Sequence, residues 1–299
     1  MRSQKKILED KKDSMQLLHL VETFEEISAS KIQKIREGIL SSRQYYTRLT
    51  LLLEEVGDDL TPVSGGKSEA AVFLSANEGL YGAIVEQTFS LFLSESKDKK
   101  KIIVGKMGKS LMDNFSPNAS YDYFDFPDDA LDRDSFRPIA QKLLTFSKVA
   151  VYYGQFESIA VQHASSSVLS SDLISSFAKQ AKKKGFAVNF LSFLPNIVSG
   201  ALTPQEVSMQ TTSNARFIYE PTISEISEKF QNEVFSSVFE DKVREGQLAK
   251  EGSRIMMLDQ SLDKIKQNQD LLTREARKAK RITDGKKQRS RVVRIFTKK

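Results

Sequence analysis

The feature that most constrains this chain is a proline-free stretch over residues 222–283 that carries a regularly spaced apolar stripe. Alternating steps of three and four residues from Leu248 reach mostly apolar side chains, whereas the positions between them are mainly charged or amide residues. The stripe consists of Leu248, Glu251, Ile255, Leu258, Leu262, Ile265, Gln269, Leu272, Ala276, Ala279 and Thr283. This spacing is the heptad seam of a coiled coil. A helix over this stretch is roughly 90 Å long, so it needs a partner along its seam.

A second proline-free stretch, residues 7–56, supplies that partner. The predicted seam runs through Leu17, Leu20, Phe24 and Ile27 and then, after one shift of phase, through Ile32, Ile35, Ile39, Ser42, Tyr46, Leu49, Leu53 and Val56. Because the two helices flank the middle of the chain, they can pair antiparallel without a long connection. The last helix is expected to overhang by about 18 Å and to stand alone beyond Leu272. A homodimeric coiled coil is the alternative.

The middle of the chain alternates short apolar runs with helical patterns. Strands are predicted over 70–76, 101–106 and 148–154, with further candidates over 186–194 and 216–220, and helices over 83–93, around Leu111 and Met112, and over 136–146. Residues 114–134 are interpreted as an irregular surface excursion, and residues 161–184 are weakly patterned. This alternation predicts a small α/β domain on a mainly parallel sheet.

The predicted fold class is therefore a long antiparallel coiled coil of the N- and C-terminal helices with a small central α/β domain. The predicted boundaries are 1–57 for the first coiled-coil helix, 68–220 for the α/β domain, and 222–299 for the last helix with its basic end.

Composition excludes several classes of chemistry. The 299 residues include no cysteine and two histidines, so disulfides, thiol nucleophiles and cysteine-based zinc sites are excluded. No run of about 18 apolar residues predicts a membrane span. The first residues lack the apolar core of a secretory signal, so we expect the protein to stay in the compartment where it is made.

The positive charge is concentrated at one end of the chain. Residues 274–299 contain twelve Lys or Arg against Glu275 and Asp284, a local charge of +10, so the rest of the chain carries about −4 of the overall +6. Nucleic-acid binding by this end is an alternative, but the only aromatic residue there is Phe296. A basic helix end that is solvated or faces a protein partner is favoured.

Candidate catalytic or ligand-binding motifs are few. The glycines of 75–82 follow a strand and precede a helix, where a phosphate can meet backbone N–H groups, but neither they nor the glycines of 105–110 have a nucleotide-binding spacing. Tight turns are favoured at both places. His163 is interpreted as a surface or packing residue. The acidic residues Asp122, Asp125, Asp128 and Asp129 suggest a weak cation site or, more simply, a solvated loop. We predict no catalytic residue, cofactor site or metal site.

Several segments, taken in chain order, resemble the γ subunit of F-type ATP synthases. SASKIQKI (28–35) is similar to the family's Ala-Ala-Ser-Lys stretch, and FLSANEGLYGAIV (73–85) to its first strand and turn. IIVGKMGKSLM (102–112) resembles its second strand, and VAVYYGQFESIAVQ (149–162) its third, with Phe156 and Gln162 matching. FIYEP (217–221) and SRIMMLD (253–259) resemble segments of its last helix. Together they span nearly the whole chain.

The chain also departs from the family. Glu22, Thr23 and Phe24 replace a basic Lys-Ala-Met segment, and Lys278 and Ala279 replace an Arg-Gln pair that reaches the stator. The small, apolar extremity is replaced by DGKKQRSRVVRIFTKK. The chain therefore resembles a divergent member, of a standard synthase or of a related ATPase that drives something other than ion transport.

The resemblance implies a non-catalytic rotor shaft that couples rotation of a membrane ring to conformational changes in catalytic β subunits. The implied partners are the α and β subunits of the catalytic hexamer, the ε subunit and the membrane c-ring, with no nucleic acid. The implied location is peripheral, on the cytoplasmic face of the cell membrane. The implied stator contacts are Phe24, Lys31, Arg254, Lys278, Arg281 and Ile282. The alternative is a coiled-coil tether with an α/β docking head.

Overall fold

The computed structural model describes residues 4–56, 68–128, 133–170, 220 and 222–296. The chain divides into two compact units, one formed by Met1–Ser28 with Ile255–Lys299 and the other by Ala29–Arg254. We call them the coil unit and the sheet unit. In chain order the elements are α1 Gln4–Val56, β1 Glu69–Leu74, α2 Ile84–Glu95, β2 Lys100–Val104, α3 Lys106–Phe115, β3 Tyr121–Phe124, α4 Arg133–Leu143, β4 Lys148–Phe156, β5 Gln162–Ser170 and α5 Ile223–Phe296.

The five strands form one sheet in the order β3-β2-β1-β4-β5. The first four strands are parallel, and β5 pairs antiparallel with β4 along nine residue pairs, from Lys148 with Ser170 to Phe156 with Gln162. The predicted mainly parallel sheet is therefore confirmed. The carboxyl ends of β1 and β2 lie side by side, since Leu74 pairs with Val104, and the loops that follow them leave the sheet at the same edge.

Helices cover both faces of the sheet. On one face, Val72, Ile102 and Val151 are buried with apolar residues of α4 and α5, which include Ile139, Leu143, Phe235, Phe239 and Val243. On the other face, Phe73, Ile103 and Tyr152 are buried with residues of α2 and α3, which include Ile84, Val85, Phe89, Phe92 and Met112. Continuous apolar runs in β1, β2 and β4 follow from this arrangement, because a parallel strand covered on both faces buries consecutive side chains.

Within the sheet unit, α1 and α5 pair antiparallel. The Ser42 hydroxyl lies 3.5 Å from a Glu240 carboxylate oxygen. One turn further along α1, the Tyr45 hydroxyl donates to Glu233 at 2.6 Å. An advance along α1 is thus matched by a step back along α5. From Val234 to Arg254 no side chain of α5 is exposed, so this part of the long helix belongs to the core.

Within the coil unit the same two helices form a two-stranded antiparallel seam. Ile7 is buried with Leu272 and Ala279, whereas Val21 is buried with Leu258 and Leu262. The predicted coiled coil is confirmed, and so are six of the predicted seam positions on α5, Leu258, Leu262, Ile265, Leu272, Ala276 and Ala279. The prediction that α5 stands alone beyond Leu272 is wrong, because Ile7 still covers Ala279 one heptad further on.

The predicted seam in the first part of α1 is also wrong. Leu17, Leu20, Phe24 and Ile27 are 39–52% exposed. The side chains that face α5 are instead Ile7, Ser14, Leu18, Val21 and Ser28, which continue through Ile32, Ile35 and Ile39 with no shift of phase. The prediction failed because the seam that faces α5 contains Ser14 and Ser28, whereas the exposed flank beside it consists of the apolar residues Leu17, Leu20, Phe24 and Ile27.

Two strands were not predicted. Residues 121–124, assigned to an irregular excursion, form β3 at one edge of the sheet, where all four side chains are half-buried. The serine-rich residues 162–170 form β5 at the other edge, held by the backbone ladder to β4. Edge strands need fewer apolar side chains, because one side of the ladder faces away from the sheet. The strand predicted over 186–194 lies outside the described residues, as does the strand predicted over 216–220 except for Glu220, which is a bend. The predicted domain boundaries stay predictions.

No helix in the described ranges has an apolar stretch long enough to span a bilayer.

Candidate functional site

The most elaborate polar structure in the sheet unit is built on the loop between β1 and α2, residues 75–82. The chain turns back here through two residues of positive φ, Leu80 at 69° and Gly82 at 58°. Glycine adopts this conformation without strain, whereas a leucine does so only where its surroundings hold it. The Ser253 hydroxyl of α5 lies 2.8 Å from the position of a Cβ at residue 82. Helix α5 therefore approaches this loop closely.

Asn77 and Asp128 fix the shape of the loop. One Asp128 carboxylate oxygen accepts the backbone N–H groups of Asn77 and Glu78, both at 2.7 Å. The Asn77 amide donates to Asp125 at 2.6 Å and to the Phe126 carbonyl at 3.0 Å, and its oxygen accepts the Lys106 N–H at 2.8 Å. The loops after β1 and β3 and the start of α3 are therefore joined by side-chain hydrogen bonds.

Lys250 of α5 binds the other Asp128 carboxylate oxygen at 2.7 Å and the Ser75 carbonyl at 2.9 Å. Asp128 is 3% exposed and Lys250 is 12% exposed. Burial acts to raise the pKa of Asp128, but the Lys250 ammonium and the two backbone donors outweigh it, so the net pKa lies below the ordinary value. The pair is thus a buried ion pair in which both partners make further hydrogen bonds.

Arg254, one turn further along α5, holds the tip of the loop. Its guanidinium donates to a Glu78 carboxylate oxygen and to the Gly79 carbonyl, both at 2.8 Å, and lies 4.3 Å from the ring centroid of Tyr81. The hydrogen bond from Arg254 lowers the pKa of Glu78. The Ser253 hydroxyl donates to the Tyr81 carbonyl at 2.8 Å. Ser253 and Arg254 of α5 therefore both hold the tip of the loop.

Lys31 connects α1 to the same cluster. Its ammonium lies 3.6 Å from Glu78 and 3.9 Å from Glu251 of α5, which is 1% exposed. Lys31 and Arg254 thus alternate with Glu78 and Glu251, and the Lys250–Asp128 pair adjoins them through the Glu78 backbone N–H. We call this set the ion-pair network: Lys31, Glu78, Asp128, Lys250, Glu251 and Arg254. The formal charges of these six residues sum to zero, so each buried charge is balanced by one of opposite sign.

A second buried group of charges lies on α5 where it crosses β4. The Lys242 ammonium is 3.1 Å from Glu245 and 3.8 Å from Asp241, and it lies 5.3 Å from the ring centroid of Tyr153. All three charged residues are buried. Burial raises the pKa of Glu245 more than the Lys242 ammonium lowers it. These side chains fasten α5 to the sheet a little over one turn before the network begins.

The two glycine-bearing turns do not form a phosphate cradle. The N–H groups at the start of α3, where an anion would bind, are already occupied: Lys106 donates to Asn77 and Met107 to the Ala76 carbonyl. Gly105, at φ 101°, is needed because a Cβ there would lie 2.9 Å from the Ala76 backbone. The interpretation of these glycines as tight turns agrees with this geometry.

The acidic residues of β3 and of the loop after it contact lysines. Asp122 lies 3.2 Å from Lys100 and 3.4 Å from Lys142, Asp125 lies 3.5 Å from Lys106, and Asp128 binds Lys250. Asp129 lies outside the described residues. Among the described residues, no group of three or more His, Asp or Glu side chains is arranged to hold a metal ion. His163 is a surface residue of β5, with Nε2 3.1 Å from the Gln155 side-chain oxygen.

The structure separates the six predicted stator contacts into two groups. Lys31 and Arg254 belong to the ion-pair network and face inward within the sheet unit. Phe24, Lys278, Arg281 and Ile282 are exposed on the coil unit. Sequence reasoning missed Glu78, Asp128 and Lys250 as a set, because they are far apart in the chain. The one local signal was a charged position, Glu251, on an otherwise apolar seam.

Residues that carried the family resemblance meet at α5. A Cβ at Gly252 would lie 3.0 Å from the Phe156 ring and 3.1 Å from the Gln162 amide. Phe156 and Gln162 end β4 and begin β5, so the turn between these strands packs on a position of α5 that has no side chain. Two of the residues that match the family therefore contact the same position of α5.

Comparisons with known proteins agree with this architecture. A family model described as ATP synthase matches residues 6–283. The ATP synthase gamma chain of Flavobacterium psychrophilum is 27% identical over 166 residues, which cover 48% of this chain and 57% of that relative. This chain thus spans less than two thirds of that relative's length.

Solved structures show the same fold. A chain of the Euglena gracilis mitochondrial ATP synthase, in an OSCP/F1/c-ring structure, aligns with a TM-score of 0.60 and 15% identity over 98% of this chain and 94% of that one. A chain of the Tetrahymena thermophila mitochondrial ATP synthase central stalk and c-ring aligns with a TM-score of 0.52 and 12% identity, over 81% and 99%. With a family match over residues 6–283, the chain belongs to the ATP synthase γ-subunit family.

Proposed function

We propose that this chain is the central rotor shaft of an F-type ATP synthase or ATPase. In this role the shaft couples rotation of a membrane ring to conformational changes in the catalytic β subunits. Its partners are the α and β subunits of the catalytic hexamer, the ε subunit and the c-ring. The family match and the fold of the aligned rotor chains support this assignment.

The observation that carries the proposal is an apolar stripe on the outside of the coil unit. Leu17, Leu20, Phe24 and Ile27 follow steps of three, four and three residues, so they lie on one flank of α1, and each is 39–52% exposed. A two-stranded coil that needed no further partner would carry polar residues there. The stripe is therefore the surface on which the surrounding α and β subunits pack.

The ion-pair network gives the shaft a means to transmit torque. It attaches both helices to the β1–α2 loop through charge-assisted contacts of Lys31, Lys250 and Arg254. Such contacts are strong and geometrically specific. A rotation applied to the α/β domain therefore turns the helices attached to it. Lys31 and Arg254 serve this attachment, while Phe24, Lys278, Arg281 and Ile282 are proposed stator contacts.

We further infer that the chain itself does not hydrolyse ATP, and that it lies at the cytoplasmic face of the cell membrane, attached only through the complex. The N–H groups at the start of α3 that a phosphate would require are occupied by Asn77 and Ala76. Catalysis in such a machine belongs to the β subunits, which respond to the asymmetric surface that the turning shaft presents.

Affinity purification from the source cell tests the assignment. The tagged chain is isolated in mild detergent, and the co-purifying proteins are identified and counted. Recovery with three α and three β subunits for each copy of this chain is the expected result. Recovery as a homodimer, or with partners that include no ATPase subunit, would favour the tether and overturn the proposal.

A further inference from the structure

The segment of α5 that follows Ala279 has an unusual distribution of charge. Between Lys280 and Val293 the helix carries Lys280, Arg281, Lys286, Lys287, Arg289 and Arg291 against Asp284 alone, a net charge of +5. Every side chain from 286 to 293 is exposed. Within the described part of the chain, none of these six cations takes part in an ion pair. We call residues 280–293 the basic segment.

The six cations surround the helix. At about 100° of rotation per residue, no sector wider than about 100° lacks one of them. A helix that lies on a membrane or in a DNA groove has its cations on one face, because only that face meets the anionic surface. The basic segment also contains no aromatic residue to stack on a base. A flat or one-sided anionic partner therefore fits this segment poorly.

We propose that the basic segment turns inside a collar of acidic side chains contributed by the α/β ring. This inference rests on the proposed function, and it adds which kind of side chain of the α/β ring contacts the basic segment. A collar meets the helix from all sides, so cations distributed around the axis find carboxylates at every angle of rotation. Because no one angle offers many more ion pairs than another, the contact centres the shaft without holding it at a fixed position.

A charge-reversal scan around the helix tests the collar. The wild-type chain and six single variants, Lys280→Glu, Arg281→Glu, Lys286→Glu, Lys287→Glu, Arg289→Glu and Arg291→Glu, are titrated against the α/β ring at low and high salt. We expect each variant to weaken binding by about twofold to fivefold at low salt, whichever side of the helix it changes. The losses should shrink at about 0.3 M salt, since exposed charges are then screened.

Lys264→Glu and Lys266→Glu are the matched controls, because both residues are exposed on the same helix, outside the basic segment. They should bind like wild type. Losses confined to one face of the basic segment, or variants that all bind like wild type, would overturn the collar and leave the shaft intact. A wild-type chain that does not bind the ring would count against the shaft as well. Tighter binding to random-sequence duplex DNA, or to phosphatidylserine vesicles, than to the ring would also overturn the collar.

Discussion

Helix α5 lies in two different environments along its length. In the sheet unit, no side chain between Val234 and Arg254 is exposed, and each charged residue lies beside a charge of opposite sign. In the coil unit only a narrow seam is buried, including Leu258, Leu262, Leu272 and Ala279, and the lysines and arginines are solvated. The difference shows that one helix can serve as part of a core and as part of an open rod. The physical distinction is how much of the circumference of the helix is covered by other elements.

The largest expected effect concerns the covered part of α5. Phe239 is fully buried and stacks on Phe136 with ring centroids 5.4 Å apart. Phe239→Ala removes a core ring and leaves a cavity, so we expect the free energy of unfolding to fall by about 4 kcal/mol. Urea denaturation measures it. Leu271→Ala, on the open part of the same helix with its side chain 58% exposed, should change it by less than about 0.5 kcal/mol. Equal losses in the two variants would contradict the comparison.

The next effect concerns the ion-pair network. Lys250→Met leaves the Asp128 carboxylate buried without its cation, so we expect a loss of about 3 kcal/mol at pH 7. Lys264→Met removes an exposed charge and should have little effect. Urea denaturation of both variants at pH 7 gives the comparison, and a Lys250→Met chain as stable as wild type would show that the network does not hold the helix.

The same network predicts a pH dependence. The pKa values of Asp128 and Glu78 are lower in the folded chain than their ordinary values, so the unfolded chain binds more protons near pH 4. The stability that these carboxylates contribute is therefore complete at neutral pH and is lost as the pH falls below about 4. The difference between wild type and Lys250→Met should narrow over that range. A difference that stays constant between pH 7 and pH 3 would contradict this assignment.

A smaller effect separates two neighbouring leucines of α1. Leu18 packs on the cluster around Val21, whereas Leu17 is 48% exposed. We expect Leu18→Ala to weaken the coil unit by about 2 kcal/mol and Leu17→Ala by less than about 0.5 kcal/mol. Amide hydrogen exchange over residues 10–28 reports this opening directly. A larger loss of stability in Leu17→Ala than in Leu18→Ala would instead support the seam through Leu17 that was predicted from the sequence.

The smallest expected effect is a gain. The Ser28 hydroxyl is fully buried in the seam and has no hydrogen-bond partner among the described residues. Ser28→Ala should therefore stabilise the coil unit by about 1 kcal/mol, because an unsatisfied polar group leaves and helix propensity improves. Ser14→Ala, at a seam position that is 8% exposed, should give a smaller gain. Thermal unfolding compares the two variants. A loss of stability in Ser28→Ala would indicate a partner for this hydroxyl.

The sequence by itself determined the two long helices and the parallel strands. Proline-free stretches with a three-four spacing specify long helices, and continuous apolar runs specify strands buried on both faces, because both signals depend on neighbours along the chain. Segments similar to a known family, in the right order, pointed to the fold that the structure has.

Only the tertiary structure decided which flank of α1 faces α5. Two apolar patterns compete there, and the seam that contains Ser14 and Ser28 prevails, since it alone continues in phase with Ile32, Ile35 and Ile39. The edge strands β3 and β5 also required tertiary structure, because their stability comes from ladders to distant strands. The same holds for the ion-pair network. Lys31, Asp128 and Lys250 lie far apart in the chain, so their pairing depends on folding that no local pattern records.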